Sequence, residues 1–306
     1  MTNLGDMNIE MRVLDEDPAL AEQAKALAAE AARVDGVAPI SEQFLLGLQD
    51  PRLGHRHLVA LVDGVVAGYA AIEEATAELV VSPDHRRRGI GESLYRELSR
   101  QIPGVQVWAH GNTPAAQGLA KKMDLERVRE LLVMGVVEPA LAAAAAYRLP
   151  AGFVVEDLAQ SRAGRGAELV DQAWLEANND AFSWHPEQGG WDRAKLSRAQ
   201  EVDWFRAEDV LFLWDERGAE PVLAGFHWTK WHTGEEPALG EVYVVGLAAG
   251  HRGQGLGGTI LSIGLAHLLR RGVGRVILYV EADNAAAVKV YQNSGFDIVE
   301  QHIVFA

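Results

Sequence analysis

The sequence predicts an α/β fold with mixed α+β sheets, built twice in tandem. Three observations predict it. The stretch Leu239–Gly258 (LGEVYVVGLAAGHRGQGLGG) reads as strand, short turn, glycine-rich segment and helix start, and Ala77–Gly91 (AELVVSPDHRRRGIG) reads the same way. The pattern R-x-x-G-x-G on Arg252, Gly255 and Gly257 recurs on Arg86, Gly89 and Gly91, 166 positions earlier. Between the two copies lies Pro139–Pro150, alanine-rich and bracketed by prolines, which reads as an interdomain linker, with a helix as one of its options. A period that long means two copies of one fold, not a solenoid. The expected domains are 1–138 and 151–306, joined by 139–150, and a chain of 306 residues suits two domains of about 150 each.

The elements follow in order. Alternation over Met7–Leu14 predicts a strand, and the Ala/Leu/Glu-rich stretch 17–35 a helix. Ser41 is an N-cap for a helix to Gln49. Strands at 57–62 and 65–73 are joined by Asp63-Gly64, a hairpin signal. After the first loop motif come a helix to about Gln101, a strand Val105–Ala109, a helix near 114–123 and strand residues to Val137. The second half repeats that order: strand Phe153–Leu158, one helix over 163–179, short helices over 192–207, and strands Val210–Trp214 and Val222–Thr229. The second loop motif, a helix to Arg271, strand Val276–Glu281, helix 283–294 and a closing strand pair from Phe296 complete it.

Composition narrows the function. A net charge of −15 opposes nucleic acid and anionic membranes as partners. No apolar run reaches the roughly 18 residues of a membrane span, and the start MTNLGDMNIEMRVL has no signal-peptide pattern. The absence of cysteine removes disulfides, thiolate metal sites and cysteine nucleophiles, and fits a cytoplasmic location. No H-E-x-x-H occurs, so no metal is expected. The expected ligand is a small molecule, and the expected state a monomer.

Glycines at a helix start leave N–H groups that bind phosphate. Three such loops compete here. A P-loop needs a Gly-Lys-Ser/Thr ending, which is absent. Gly253, Gly255 and Gly258 meet the dinucleotide spacing G-x-G-x-x-G, with Glu281 as the acid. The first copy carries Arg87 and Glu92 at the matching positions, so that spacing is not shared, whereas R-x-x-G-x-G is. This third pattern, within this order of elements, resembles the Gcn5-related N-acetyltransferase (GNAT) superfamily. The resemblance implies acetyl-CoA as co-substrate. It places the cofactor on Val245-Gly246-Leu247 and Arg252-Gly253-Gln254-Gly255-Leu256-Gly257-Gly258. In the first half it implies Leu79-Val80-Val81 and Arg86-Arg87-Arg88-Gly89-Ile90-Gly91. A bulge near Gly246 is expected to free an N–H for the thioester oxygen.

Amine acetylation needs a base for the amine, donors for an oxyanion, and a proton for the leaving thiolate. Glu241, on the strand entering the cofactor loop, is the candidate base, acting through water; a solvated strand glutamate is the alternative. The run DNAAAVKVYQNSGF resembles the superfamily signature N-x-x-A-x-x-x-Y-x-x-x-G-F. That implies cofactor contacts at Asn284-Ala285-Ala286-Ala287-Val288-Lys289 and Tyr291 as general acid, against the alternative of a core aromatic. In the first half Ala75 and Ala120 align with Glu241 and Tyr291. That half is therefore expected to keep a cofactor pocket without transferring acetyl groups.

Seven of eight tryptophans follow the linker, and Ser183–Trp191 (SWHPEQGGW) reads as a polar loop able to line a pocket and stack on a sugar. NNDAFSWHPEQGGW, GEVYVVG and LYVEADNAAAVKVYQNSGF, with the tandem layout, resemble the mycothiol synthase family along essentially the whole chain. The resemblance implies acetyl transfer to the cysteine amine of cysteinyl-glucosaminyl-inositol. It implies substrate contacts at Glu187, Lys230, Glu241 and Tyr279, and at Asp35 from the first half. An acetyltransferase for another amine, or a non-catalytic acyl-CoA sensor, are the competing readings.

Overall fold

A computed structural model describes residues 8–14, 17–184, 188–232, 234 and 238–306. The chain forms two compact units, Met1–Leu131 with Glu300–Ala306, and Leu132–Val299. The first unit contains β1 (Ile9–Val13), α1 (Pro18–Asp35), α2 (Glu42–Gly47), β2 (Arg56–Val62), β3 (Val65–Glu73), β4 (Thr76–Val81), α3 (Ile90–Gln101), β5 (Gln106–Ala109) and α4 (Pro114–Lys122). Strand β6 (Arg127–Val137) passes into the second unit at Leu132. There follow α5 (Ala140–Ala144), β7 (Phe153–Asp157), α6 (Leu158–Arg165), α7 (Ala167–Ala181), α8 (Arg193–Ala199), β8 (Val210–Asp215), β9 (Val222–His232) and β10 (Leu239–Leu247). Then come α9 (Leu256–Arg270), β11 (Arg275–Glu281), α10 (Ala285–Asn293) and β12 (Asp297–Phe305). No helix among the described residues is long and apolar enough to cross a membrane.

Three elements differ from the sequence expectation. The helix expected over 163–179 is two helices. A capping box on Asp157 and Gln160 starts α6 early, and Gly166 at φ 94° breaks the chain before α7. The closing strand pair is the single strand β12. The proline-bracketed segment lies within the second unit rather than between the two, and it carries the helix α5, whose Leu141 is fully buried among Phe296, Val136 and Leu265. The Asp63-Gly64 hairpin forms as expected, with φ of 52° and 79° at its two central residues.

Each unit is a sheet with helices on both faces. In the first, the strand order is β1-β2-β3-β4-β5, followed by the end of β12, whose Ile303–Phe305 pairs antiparallel with Val107–Ala109. Leu20, Ala24, Leu27 and Ala31 of α1 cover one face against Val59, Tyr69 and Val80. Ile90, Leu94 and Leu98 of α3 cover the other against Ala60, Ala70 and Ala77. In the second unit the order is β6-β11-β10-β9-β8-β7. Trp174 of α7 packs on Phe212, Phe226 and Trp228, and Leu261, Leu265 and Leu268 of α9 pack on Val242, Val276 and Leu278. Burying each of those side chains contributes about 1.5–3 kcal/mol.

The feature that positions the site is a short parallel ladder in each unit. β4 pairs with β5 only over Thr76–Glu78 against Gln106–Trp108, although β4 runs on to Val81. β10 pairs with β11 over Leu239–Val242 against Arg275–Leu278, and runs on to Leu247. Past Val242 and Leu278 the second ladder ends, although β10 runs on to Leu247 and β11 to Glu281.

Candidate active site

The two loops have one geometry. Gly89 and Gly255 are left-handed N-caps (φ 87° and 78°) of α3 and α9, and neither supplies a side-chain cap. The free N–H groups of the first helical turn and the helix dipole therefore face outward, as a diphosphate site requires. Two residues earlier, Arg87 and Gly253 are also left-handed (φ 63° and 75°). Arg86 and Arg252 do not simply project into solvent. Each donates from Nε to the carbonyl ending its strand, Val81 O and Leu247 O, at 3.2 Å. Each also pairs with an aspartate near the end of an earlier helix, α1 or α7: Asp35 accepts from Arg86 Nη1 and Nη2 at 2.7 Å, and Asp180 accepts from Arg252 Nη2 at 3.2 Å. Asp180 also accepts from the N–H of Ala249, fixing the turn that opens the second loop. In the first unit a cavity of about 390 Å³ lies over the loop, bounded by Leu79–Val81, Arg86, Arg87, Gly89, Gly91 and Asp35.

On the second unit's sheet, Glu241 is buried, 7% exposed. This departs from the solvated-strand alternative. Its register partner across the β9–β10 ladder is Lys230, so both side chains leave the same face. Lys230 is itself 7% exposed. Its ammonium lies 4.5 Å from the Trp204 ring centre and 5.9 Å from that of Tyr243. His232, two residues along β9, is on that face too, and its Nε2 lies 2.7 Å from Glu241 Oε2. Tyr243 is where the ladder slips: the register shifts between Val242 and Val244. The bulge expected near Gly246 is therefore displaced to Tyr243, and Gly246 pairs regularly with Phe226. Gly246 is needed for a different reason, because a Cβ there would come 2.9 Å from Ala181 Cβ and 3.1 Å from Phe226.

Tyr291, on α10, is half-buried against the core that holds Val242, Val280 and Leu261, with its ring 6.0 Å from Phe296. Burial pushes its hydroxyl up to about 12. Asn284 is the N-cap of α10: its side chain accepts from Ala287 N at 3.2 Å. Tyr279 is 47% exposed on β11, the strand that pairs Ile277 with Glu241. Glu187 lies outside the described residues. The residues after it are stapled to α7, Asn178 exchanging bonds with Gln188 and Asn179 with Trp191. Trp184 is 57% exposed in that loop.

The first unit also holds acid–base groups that sequence alignment missed. Glu78 on β4 is buried, accepts from Ser41 N at 2.5 Å and lies 2.9 Å from His110 Nε2. His110 Nδ1 meets His302 Nδ1 at 3.0 Å, and Gly111 N donates to the same His302 nitrogen. Since that nitrogen accepts from Gly111, His110 is the donor between the two rings. Burial lowers His302 to about 4.

A splayed parallel strand pair, an uncapped glycine-rich helix start and a buried glutamate beside it define an acetyltransferase of the GNAT class. Residues 172–296 match the acetyltransferase (GNAT) family and residues 54–124 a GNAT acetyltransferase domain. The chain belongs to the mycothiol acetyltransferase family: it is 50% identical over 304 residues to the mycothiol acetyltransferase of Corynebacterium aurimucosum, covering 98% of this chain and 99% of the relative. That of Corynebacterium glutamicum strain R is 46% identical, with 95% of each chain covered. A tandem GNAT protein from the clavulanic acid biosynthesis pathway shares the fold, with a TM-score of 0.69 at 21% identity over 97% of this chain and 98% of that one.

Proposed function

We propose that the second unit transfers acetyl from acetyl-CoA to the cysteine amine of cysteinyl-glucosaminyl-inositol, giving mycothiol in the last step of its synthesis. The single observation that carries the reading is end-to-end similarity to mycothiol acetyltransferases, with Glu241 and Tyr291 both present. Acetyl-CoA supplies the acetyl group as a thioester. The start of α9, with left-handed glycines at 253 and 255 and no side-chain cap, suits its diphosphate. Glu241 takes the proton of the substrate amine, directly or through one water. Tyr291, whose hydroxyl keeps its proton across the working pH range, donates to the sulfur as negative charge develops there. Lys230 and Tyr279 meet the hydroxyl-rich ligand, and Asp35 and Glu187 stay with the reading on family resemblance. The first unit is read as an acyl-CoA-binding copy that does not transfer. The reading takes the enzyme as cytoplasmic and monomeric.

A panel of amines with acetyl-CoA tests it, following thiol release. The cysteinyl pseudodisaccharide is expected to give the highest kcat/KM by at least tenfold. Faster turnover of an aminoglycoside or a peptide N-terminus overturns the substrate assignment.

A further inference from the structure

Every cleavage of the thioester by an amine releases one proton overall: R–NH3⁺ and the acetyl thioester give the amide, the free thiol and H⁺. The proposed base must therefore be ionised at the start of each turnover and aimed correctly. We propose that His232 is the positioning residue that does this for Glu241. The inference rests on the reading of Glu241 as base. His232 is the last residue of β9 and pairs with Leu239, while Lys230 pairs with Glu241. Side chains alternate along a strand, so Trp228, Lys230 and His232 share one face, and His232 is the diagonal neighbour of Glu241. Its Nε2 reaches Oε2 at 2.7 Å. A carboxylate can only accept, so whenever Glu241 is ionised Nε2 is the donor.

One oxygen of the buried carboxylate, Oε2, is thereby occupied, which leaves Oε1 as the oxygen that would take the proton of the amine. The imidazole connects the inside to the outside: its side chain is 27% exposed and that of Glu241 9%. The other titratable groups facing the pair are Lys230 across the ladder, Tyr243 on β10, and Tyr279 and Glu281 on the same face of β11. Of these, Lys230 favours the ionised carboxylate by charge, and His232 is the one that bonds it directly among the contacts described.

A hydrogen bond to a carboxylate favours its charged form. Replacing His232 by Phe removes the donor, so the acidic limb of kcat/KM should move to higher pH by about one unit. The plateau kcat should fall roughly tenfold, with the KM for acetyl-CoA unchanged. His232→Gln keeps a donor of similar reach. It should recover most of kcat and most of the limb position, which a purely structural role would not produce. An unmoved acidic limb in His232→Phe overturns the inference, as does His232→Gln behaving like His232→Phe. Glu241→Gln is measured alongside. If it retains full activity, the base assignment itself fails; if it collapses while His232→Phe keeps the wild-type profile, only the role of His232 fails.

Discussion

The two glycine-rich loops and the two strands that feed them make an internal control. Their frames match: left-handed backbone at Arg87 and Gly253 and again at Gly89 and Gly255, and an arginine held by a strand-end carbonyl and a helix aspartate. Their chemistry does not. In the second unit the buried glutamate lies against His232, which is part-exposed, and beside a caged lysine. In the first, Glu78 is tied to the α2 backbone through Ser41 N and to His110, which is tied in turn to His302. Glu78 has Oε2 on the Ser41 N–H and Oε1 2.9 Å from His110 Nε2, whereas Glu241 has a partner only at Oε2 among the contacts described. The difference teaches that a glycine-rich loop frame can be repeated closely while the buried polar groups on the strand that feeds it are not.

Substitutions should separate the two units. The largest effect is expected at the glutamates. Glu241→Gln should lower kcat/KM by about 10³, within the general-base range, whereas Glu78→Gln should leave kcat of the folded enzyme unchanged and lower its stability by about 3 kcal/mol. Steady-state kinetics with urea unfolding reads both, and a kinetic loss in Glu78→Gln breaks the comparison. Tyr291→Phe should slow kcat by about 10²; Ala120 in the first unit offers no counterpart, and an unchanged kcat removes Tyr291 from the mechanism.

Acid sensitivity comes next and should be common to both units. Burial lowers His302 in the first and His227 in the second to about 4, against an ordinary value of 6.5. The unfolded chain takes up protons first as pH falls, so stability is held above pH 6.5 and lost between there and pH 4. The loss is about 3 kcal/mol per histidine, measured as the urea midpoint at pH 7 and 4.5. No drop over that range contradicts the neutral burial of both rings. The smallest effect is at the loops. Gly255→Ala forces a side chain into the left-handed region at about 1 kcal/mol, which should raise KM for acetyl-CoA roughly fivefold. Gly89→Ala should leave that KM alone; an equal rise would mean that the first cleft takes part in transfer.

Much of this was legible in the sequence because glycine and proline mark backbone directly. The loop motifs, the Asp63-Gly64 turn and the order of elements rest on local signals that tertiary packing did not override. Glu241 was legible because it lies on the strand that enters a recognisable loop. What escaped depends on register. The bulge at Tyr243 leaves no mark in composition, and only the β9–β10 ladder brings His232 to Glu241. The alternation Trp228, Lys230, His232 was there to be read, but its partner strand could not be aligned without knowing where the ladder slips. Glu78 was hidden because alignment on the glycines puts Ala75 opposite Glu241, three residues short of it. The break at Gly166 was masked by helix-forming residues on both sides of it.

The most direct test of the central claim, that proton removal belongs to the second unit alone, is the pH dependence of kcat/KM for wild type, Glu241→Gln and Glu78→Gln with the cysteinyl pseudodisaccharide. The wild type and Glu78→Gln should share one bell-shaped profile, and Glu241→Gln should lose the acidic limb. An acidic limb that survives in Glu241→Gln and disappears in Glu78→Gln would contradict the account.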